Sequence, residues 1–367
     1  MKKLSDNPFI SKTENGREYL CANCSLNKVH IAKVPVNGIE DELEGLSFQE
    51  VFGARRIIED IKEHANELHI VLDEYKEMDL PKLLDERLVQ GSAHAVLLAK
   101  KYGYRLGMLL LTLKTGLEEN RKARPEWTDS HWDYWANVKN VILTGGLASG
   151  YFGKYMVEQA YTVFARAGMK SYNLIRNENG SKTGASGCLT QVEGSSPVHI
   201  VFDFGQTKVK RVIFVKEEQT KEARMIELPS FHSINMDVHI DDSNEKYRQA
   251  QELHEYLLNI IVETYKEAVS YGEVGWEVAI SIANYVIDGR IYDKRGGYAK
   301  LAALGDNYAG ILASDLEKRL GRSIMVRLIH DATAAALNYK EYEDAVCITL
   351  GTAFGVGFPE INLKGRN

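Results

Sequence analysis

The sequence predicts an α/β protein of two lobes. A chain of 367 residues is longer than one hydrophobic core of ordinary size needs. Apolar strand-like runs alternate with segments of helical period along most of it. Three of those runs end in glycine-bearing turns: Asp203-Phe204-Gly205-Gln206-Thr207-Lys208, Leu350-Gly351-Thr352-Ala353-Phe354-Gly355, and Val141-Ile142-Leu143-Thr144-Gly145-Gly146. Each places small or hydroxyl residues where a backbone can approach an anion closely.

The bulk numbers narrow the class. A hydrophobic share of 44% and a charged share of 26% are ordinary for a globular protein. The net charge of −6 argues against a general nucleic-acid or anionic-membrane surface. No apolar run approaches the roughly 20 residues that span a bilayer. The start, Met1 to Pro8, has basic residues with no apolar stretch behind them, so it does not read as a signal peptide. Four cysteines in this length are no disulfide framework. The expectation is a cytoplasmic enzyme-sized protein with no nucleic-acid or membrane partner.

The elements follow in order. Residues 29–34 look like a short β piece. Residues 47–77 read as helix, with Phe48, Val51, Ile57, Ile58, Ile61, Leu68 and Val71 at three- and four-residue spacing. Pro81 can open the next helix. Residues 92–115 are apolar on most sides, as a buried helix would be. Residues 125–135 are a tryptophan-rich loop or short helix. Val141–Leu143 is a strand, followed by a glycine turn and a helix over about 155–167. Residues 183–189 are a small-residue helix, and Glu193-Gly194-Ser195-Ser196-Pro197 reads as a linker. Hairpin strands are expected at 199–202, 212–215 and 225–228, then a long helix over 243–270. A strand at 278–282, a helix at 308–320 ended by Gly321, a strand at 325–329, a helix at 332–339 and a strand at 346–350 complete the chain.

Four places can carry chemistry. At the first turn, the N–H groups of Gly205, Gln206 and Thr207 could face a phosphate, with Lys208 beside them. Asp203 could hold a water of Mg²⁺, an ion that binds few carboxylates and keeps its waters. An ordinary hairpin with a capping Asp explains the same residues. At the second turn, Gly351, Thr352 and Ala353 repeat the pattern, with Thr352 able to donate to a terminal phosphate. Gly145-Gly146, between strand and helix, could admit a nucleotide base or ribose, or be a plain turn. Finally, His330-Asp331 ends a strand and opens an alanine-rich helix, where α/β sheets bind ligands. Asp331 could equally be a helix cap.

Together these four elements resemble the ROK (repressor, open reading frame, kinase) family of sugar kinases, over nearly the whole chain. The resemblance implies the two-lobed, actin-like (ribonuclease H-like) ATPase fold, circularly permuted, because the adenosine-type turn at 145–146 precedes the phosphate-type turns at 205–208 and 351–353. The family's Asp-x-Gly-Gly-Thr-Lys loop is similar to 203–208. Its Asn-Asp-x-Asn-x-x-Ala segment is similar to 330–337, which implies Asp331 as general base. Residues 46–53, 92–150 and 183–189 resemble later parts of the family pattern, and 193–197 falls where old termini would be fused. Departures are Gln206, Ala353, Leu147, Ala283-Asn284-Tyr285 and His330 at motif positions. No Gly-Glu-x-Gly-His segment is present, and Glu360 is the substitute the resemblance suggests.

The resemblance implies an ATP-dependent sugar kinase using Mg²⁺. Asn284, His330, Asp331 and Glu360 would contact a small sugar-like substrate, with Asp203 at the metal. The larger lobe would be 1–190 with 331–367, the smaller 195–330, MgATP would lie in a cleft between them, and a homodimer is compatible. Permutation requires the strands at 346–350 and 141–143 to share a sheet and Asn367 to lie with 30–60. The rival reading is a catalytically silent sugar- or nucleotide-binding regulator. A family zinc site would need more than Cys21, Cys24 and His30, so buried free cysteines are preferred. The tryptophans at 127–135 read as packing or a dimer surface.

Overall fold

The computed structural model describes residues 6–36, 42–178, 180–217, 223–234, 240–294 and 296–365. It is a mixed α/β chain that divides into two compact units. Unit 1 comprises Met1–Phe9, Ala22–Thr183 and Tyr339–Glu360; unit 2 comprises Ile10–Cys21, Gly184–Asn338 and Ile361–Asn367.

Unit 2 is built on a five-stranded sheet. The order is Met325–His330, Val274–Ile282, Val198–Phe204, Lys208–Lys216, Ala223–His232. The first three strands are parallel, and the last two continue antiparallel. Val198 to Phe202 are all buried, so this central strand is covered on both faces. One cover is the helix Ser243–Ala268, started by Asp242, whose carboxylate accepts from the N–H groups of Asn244 and Glu245. Leu253, Leu257, Ile260 and Ile261 form its buried side. The helix Tyr308–Leu320 begins at the Asn307 cap and stops at Gly321, whose φ of 68° suits glycine.

Unit 1 carries a four-stranded sheet in the order Phe354–Gly357, Ala345–Leu350, Asn140–Thr144, Asn173–Arg176. The outer hairpin is antiparallel and the other pairings are parallel. The strand expected at 346–350 therefore does share a sheet with the strand at 141–143. Asn367 lies outside the described residues. The helices Ala93–Thr115 and Gly150–Arg166 pack closely. A Cβ on Gly103 would lie 2.7 Å from the Met156 carbonyl oxygen, and one on Gly107 would lie 2.8 Å from Val163 Cβ. Glycine at both positions lets the two helix backbones approach.

The two sheets share a plan. In each, a hairpin continues into two parallel strands on the side of its first strand. In unit 2 the hairpin comes first in the chain; in unit 1 it comes last.

Several expectations are corrected. Residues 47–77 are not one helix. A capping box between Ser47 and Glu50 opens Phe48–Val51, the backbone then extends through Phe52 and Gly53, and a second helix covers Ala54–Glu63. The helical spacing survives the break because Ile57, Ile61 and Leu68 remain buried. Residues 29–34 form no strand; His30 makes one isolated bridge to Ser47. The helix expected at 155–167 starts earlier, at Gly150. The one expected at 332–339 is α-helical over Asp331–Ala336 and then tightens to a 3₁₀ turn.

The chain passes between the two units at 9/10, 21/22, 183/184, 338/339 and 360/361, whereas the sequence placed its boundaries at 190/195 and 330/331. The reason is packing. Helix Thr183–Leu189 lies against helix Asp331–Ala336 through Gly187, so both keep company in unit 2. The 193–197 segment is thus internal to unit 2, where Glu193 N–H donates to the buried Glu277 carboxylate.

Candidate functional site

In unit 2 the three parallel strands end level with one another: Phe204 pairs with Ile282, and Ile282 with His330. Ligands of α/β sheets gather at such carboxyl ends. Asp203 sits one residue before the end. Its Oδ2 accepts from Lys210 Nζ at 2.8 Å, and its Oδ1 accepts from Ser281 Oγ at 3.0 Å. Both partners are its neighbours in register, one on each adjoining strand.

The turn that follows is closed by Gly205 N–H donating to the Lys208 carbonyl at 3.0 Å. The Gly205 carbonyl accepts from Tyr298 Oη at 3.0 Å, and Gln206 Nε2 donates to the Ala283 carbonyl at 3.2 Å. Gly205 N–H is therefore spent inside the turn. The N–H groups of Gln206 and Thr207 have no hydrogen-bond partner among the described residues, and both residues are exposed. Lys208 is exposed beside them.

Asp331 follows on the outer strand. It is not the helix cap: His330 is, accepting at Nδ1 from Thr333 N–H at 3.3 Å. Asp331 occupies the first helical position, and its Oδ1 accepts from Ala332 N–H at 2.7 Å. Its side chain is half-buried, with 40% of its surface open. Desolvation by the surrounding protein, with the Asp203 charge second, pushes its pKa up to about 7. Such a carboxyl changes protonation in the working range of a general base.

His330 is held between two constraints. Its Nδ1 is an acceptor, so the neutral ring carries its proton on Nε2, which lies 3.2 Å from Asp331 Oδ1. Burial pushes its pKa down to about 3, so it stays neutral. The Tyr285 ring stacks on it, with centroids 4.6 Å apart and planes 7° from parallel. Asn284 is buried just past the end of Val274–Ile282. Unit 2 thus assembles Asp203, the 205–208 turn, Asn284, His330 and Asp331 at one sheet edge.

Unit 1 assembles the other turns. A Cβ on Gly145 would lie 2.4 Å from the Leu350 carbonyl oxygen, and the φ of Gly145 is +89°. The two turns therefore touch, and glycine is required there. Gly146 and Gly351 differ. A Cβ on either would meet nothing within 4 Å, and neither has a left-handed φ. Packing does not explain these two glycines, whereas close approach of an outside group would. Thr352 lies on the wall of a hollow of about 790 Å³, with Gln49, Gly53, Arg56, Lys101 and Arg105. Ala353 follows Thr352 in the same exposed turn. Glu360 is exposed, and its Oε1 accepts from Asn7 Nδ2 at 2.8 Å and Tyr134 Oη at 3.3 Å. It is placed in unit 1, while Asp331 is in unit 2.

Among the described residues, no group of three His, Cys, Asp or Glu is positioned to hold a metal. Cys21 lies in unit 2, with Sγ 3.0 Å from Ser11 Oγ, while Cys24 and His30 lie in unit 1. Mg²⁺ does not fit Asp203 as the chain stands, because both carboxylate oxygens are engaged and one already faces an ammonium. Trp127, Trp132 and Trp135 are buried, Trp127 and Trp135 against Phe9 and Trp132 against Trp127, so they serve packing. No described helix is long and apolar enough to cross a membrane.

Ser281, Lys210, Tyr298 and Gly187 escaped the sequence reading. Lys210 had a local signal: its spacing from Asp203 across a two-residue-tipped hairpin places both on one face. The other three come from distant segments and carried none.

No family model and no curated protein matches the chain. Among solved structures, a ROK family glucokinase from Streptomyces griseus, in complex with glucose and AMPPNP, is similar at 21% sequence identity with a TM-score of 0.28. The similarity covers 47% of this chain and 46% of that one, less than half of either.

Proposed function

We propose that the protein is an ATP-dependent kinase that transfers the terminal phosphate to a hydroxyl of a sugar or sugar derivative, with Asp331 as general base. One observation carries this reading. A carboxyl with a pKa near 7 stands at the carboxyl edge of parallel strands, on the edge that also bears the 205–208 turn.

In this reading Asp331 receives the hydroxyl proton as the phosphoryl group arrives. Gln206 and Thr207 N–H groups donate to phosphate oxygens, and His330 and Asn284 position the acceptor. Within unit 1, Gly146, Gly351, Thr352 and Ala353 are proposed nucleotide contacts, and approach of such a group accounts for glycines that packing leaves unexplained. Catalysis of this kind is mostly positioning and electrostatics. Mg²⁺ would accompany ATP and offset phosphate charge; no step is assigned to it at Asp203. Glu360 is a proposed acceptor contact, and its present partners are Asn7 and Tyr134. Circular permutation belongs to the same proposal. It is supported by the shared sheet plan with the hairpin first in one unit and last in the other.

A second reading, a catalytically silent sugar- or nucleotide-binding regulator, draws on one observation: Gly205 N–H is consumed within its own turn. Turnover of MgATP against a panel of hexoses, amino sugars and polyols separates the two. Transfer to any acceptor that fails in Asp331→Asn supports the kinase. Binding without transfer across the panel supports the regulator.

A further inference from the structure

The carboxylate that would anchor a hydrated metal already holds a cation. Lys210 Nζ donates to Asp203 Oδ2 at 2.8 Å, while Ser281 Oγ takes Oδ1 at 3.0 Å. The pair is built in, because Asp203 and Lys210 stand directly opposite in the antiparallel register. The side chains are 14% and 36% exposed, so the pair is partly withdrawn from water yet reachable. Strand alternation puts Lys208 and Lys210 on one face, opposite Val209, which is fully buried. That face leads to the turn where Gln206 and Thr207 present N–H groups with no partner among the described residues. Among the described residues, the charges that meet here are Asp203, Asp331 and Lys210; His330 is neutral, and burial with Asp203 raises the Cys188 thiol well above its usual range. Lys210 is therefore the positive group that offsets two carboxylates on an edge suited to phosphate.

We propose that Lys210 is a phosphate-binding residue that takes the cation's place on Asp203, so that this edge binds phosphate through a lysine and not through an Asp203-anchored metal. An ammonium carries three donors in a compact charge. The bond to Asp203 fixes where the head group sits. Nearby unpartnered amides add directionality. The phosphate half of the proposal rests on the kinase reading of this edge; the exclusion of metal from Asp203 does not. A plain cross-strand ion pair would stabilise the hairpin and do neither.

The test uses the full chain as wild type, Lys210→Met, Lys210→Arg, Asp203→Asn and the Lys210→Met/Asp203→Asn double variant. Mn²⁺ binding is read by electron paramagnetic resonance, and inorganic phosphate binding by calorimetry. We expect wild type to bind Mn²⁺ no more tightly than Asp203→Asn. Lys210→Met should bind it at least tenfold more tightly than wild type, and the double variant should lose that gain. Inorganic phosphate affinity should fall at least tenfold in Lys210→Met and stay within about threefold in Lys210→Arg. Wild-type Mn²⁺ binding that Asp203→Asn abolishes would show the carboxylate open to metal and overturn the proposal. So would phosphate affinity unchanged in Lys210→Met. Should Lys210→Met not fold, Lys210→Arg still decides: Mn²⁺ binding at Asp203 in that variant overturns the proposal. If the Mn²⁺ and phosphate results hold while no hydroxyl acceptor is phosphorylated, the kinase reading fails and this one stands.

Discussion

A Cβ on Gly187 would stand 1.6 Å from the carbonyl oxygen of Ala334. The helix Thr183–Leu189 and the helix that begins with Asp331 therefore meet backbone to backbone. Gly184, one turn earlier, brings the same helix to Ser281 and Asp203; its Cβ would lie 3.4 Å from Ser281 Oγ and 3.9 Å from an Asp203 carboxylate oxygen. A single small-residue helix so sets the depth at which both carboxylates sit.

Gly187→Ala should accordingly destabilise the protein and displace Asp331. Overpacking in a close-packed interior costs about 1–3 kcal/mol. Urea unfolding should register that loss, and phosphoryl transfer should fall with it. An unchanged unfolding midpoint would mean the helices part without cost.

Gly146→Ala should behave in the opposite way. A Cβ there meets nothing within 4 Å and the backbone is not left-handed, so the unfolding midpoint should not drop. Affinity for a non-hydrolysable ATP analogue, measured by calorimetry, should weaken at least fivefold if the bare backbone serves a nucleotide. Unaltered affinity would remove Gly146 from the nucleotide site.

Asp331→Asn should leave a folded protein, since His330 and not Asp331 caps the helix. Loss of a general base typically costs about 10²–10⁴ in rate. We expect transfer to the acceptor at least about a hundredfold slower, with ATP-analogue affinity retained. Equal turnover by wild type and variant would exclude Asp331 as the base.

The pH dependence follows from the raised Asp331 pKa of about 7. The base form increases as pH rises, so kcat/KM should climb through an inflection near 7 and level above it. The stability sign is the reverse. An unfolded Asp ionises near 3.9. The folded protein holds this proton more tightly, so the group's stabilising contribution is full below that value and is lost as pH rises toward 7. Asp331→Asn should therefore show less loss of Tm between pH 5 and pH 8 than wild type. A variant with the same Tm slope as wild type would place the pKa elsewhere.

Much of the fold was legible in local pattern. Gly321 ended its helix where expected, and the apolar period located Ala93–Thr115 and Ser243–Ala268 within a few residues. These are short-range effects: a left-handed C-terminal residue, a cap, a repeating apolar face. The break at Phe52-Gly53 was hidden because the apolar spacing continues across it.

The candidate site divides along the same line. The residue types at 203–208, 330–331 and 351–353, and the strand–turn contexts that hold them, were determined by the sequence alone. Which atoms meet was not. Asp203 finds Ser281 seventy-eight positions away and Gly187 finds Ala334, because strand register and helix crossing are set by long-range packing. Lys210 reaches Asp203 through a local hairpin, but only the tertiary structure decided that Ser281 takes the other oxygen of the carboxylate expected to serve a metal. Only it decided that His330 takes the cap and leaves Asp331 with a raised pKa. Burial and the distance between charges create these properties, and neither exists until the segments are folded together.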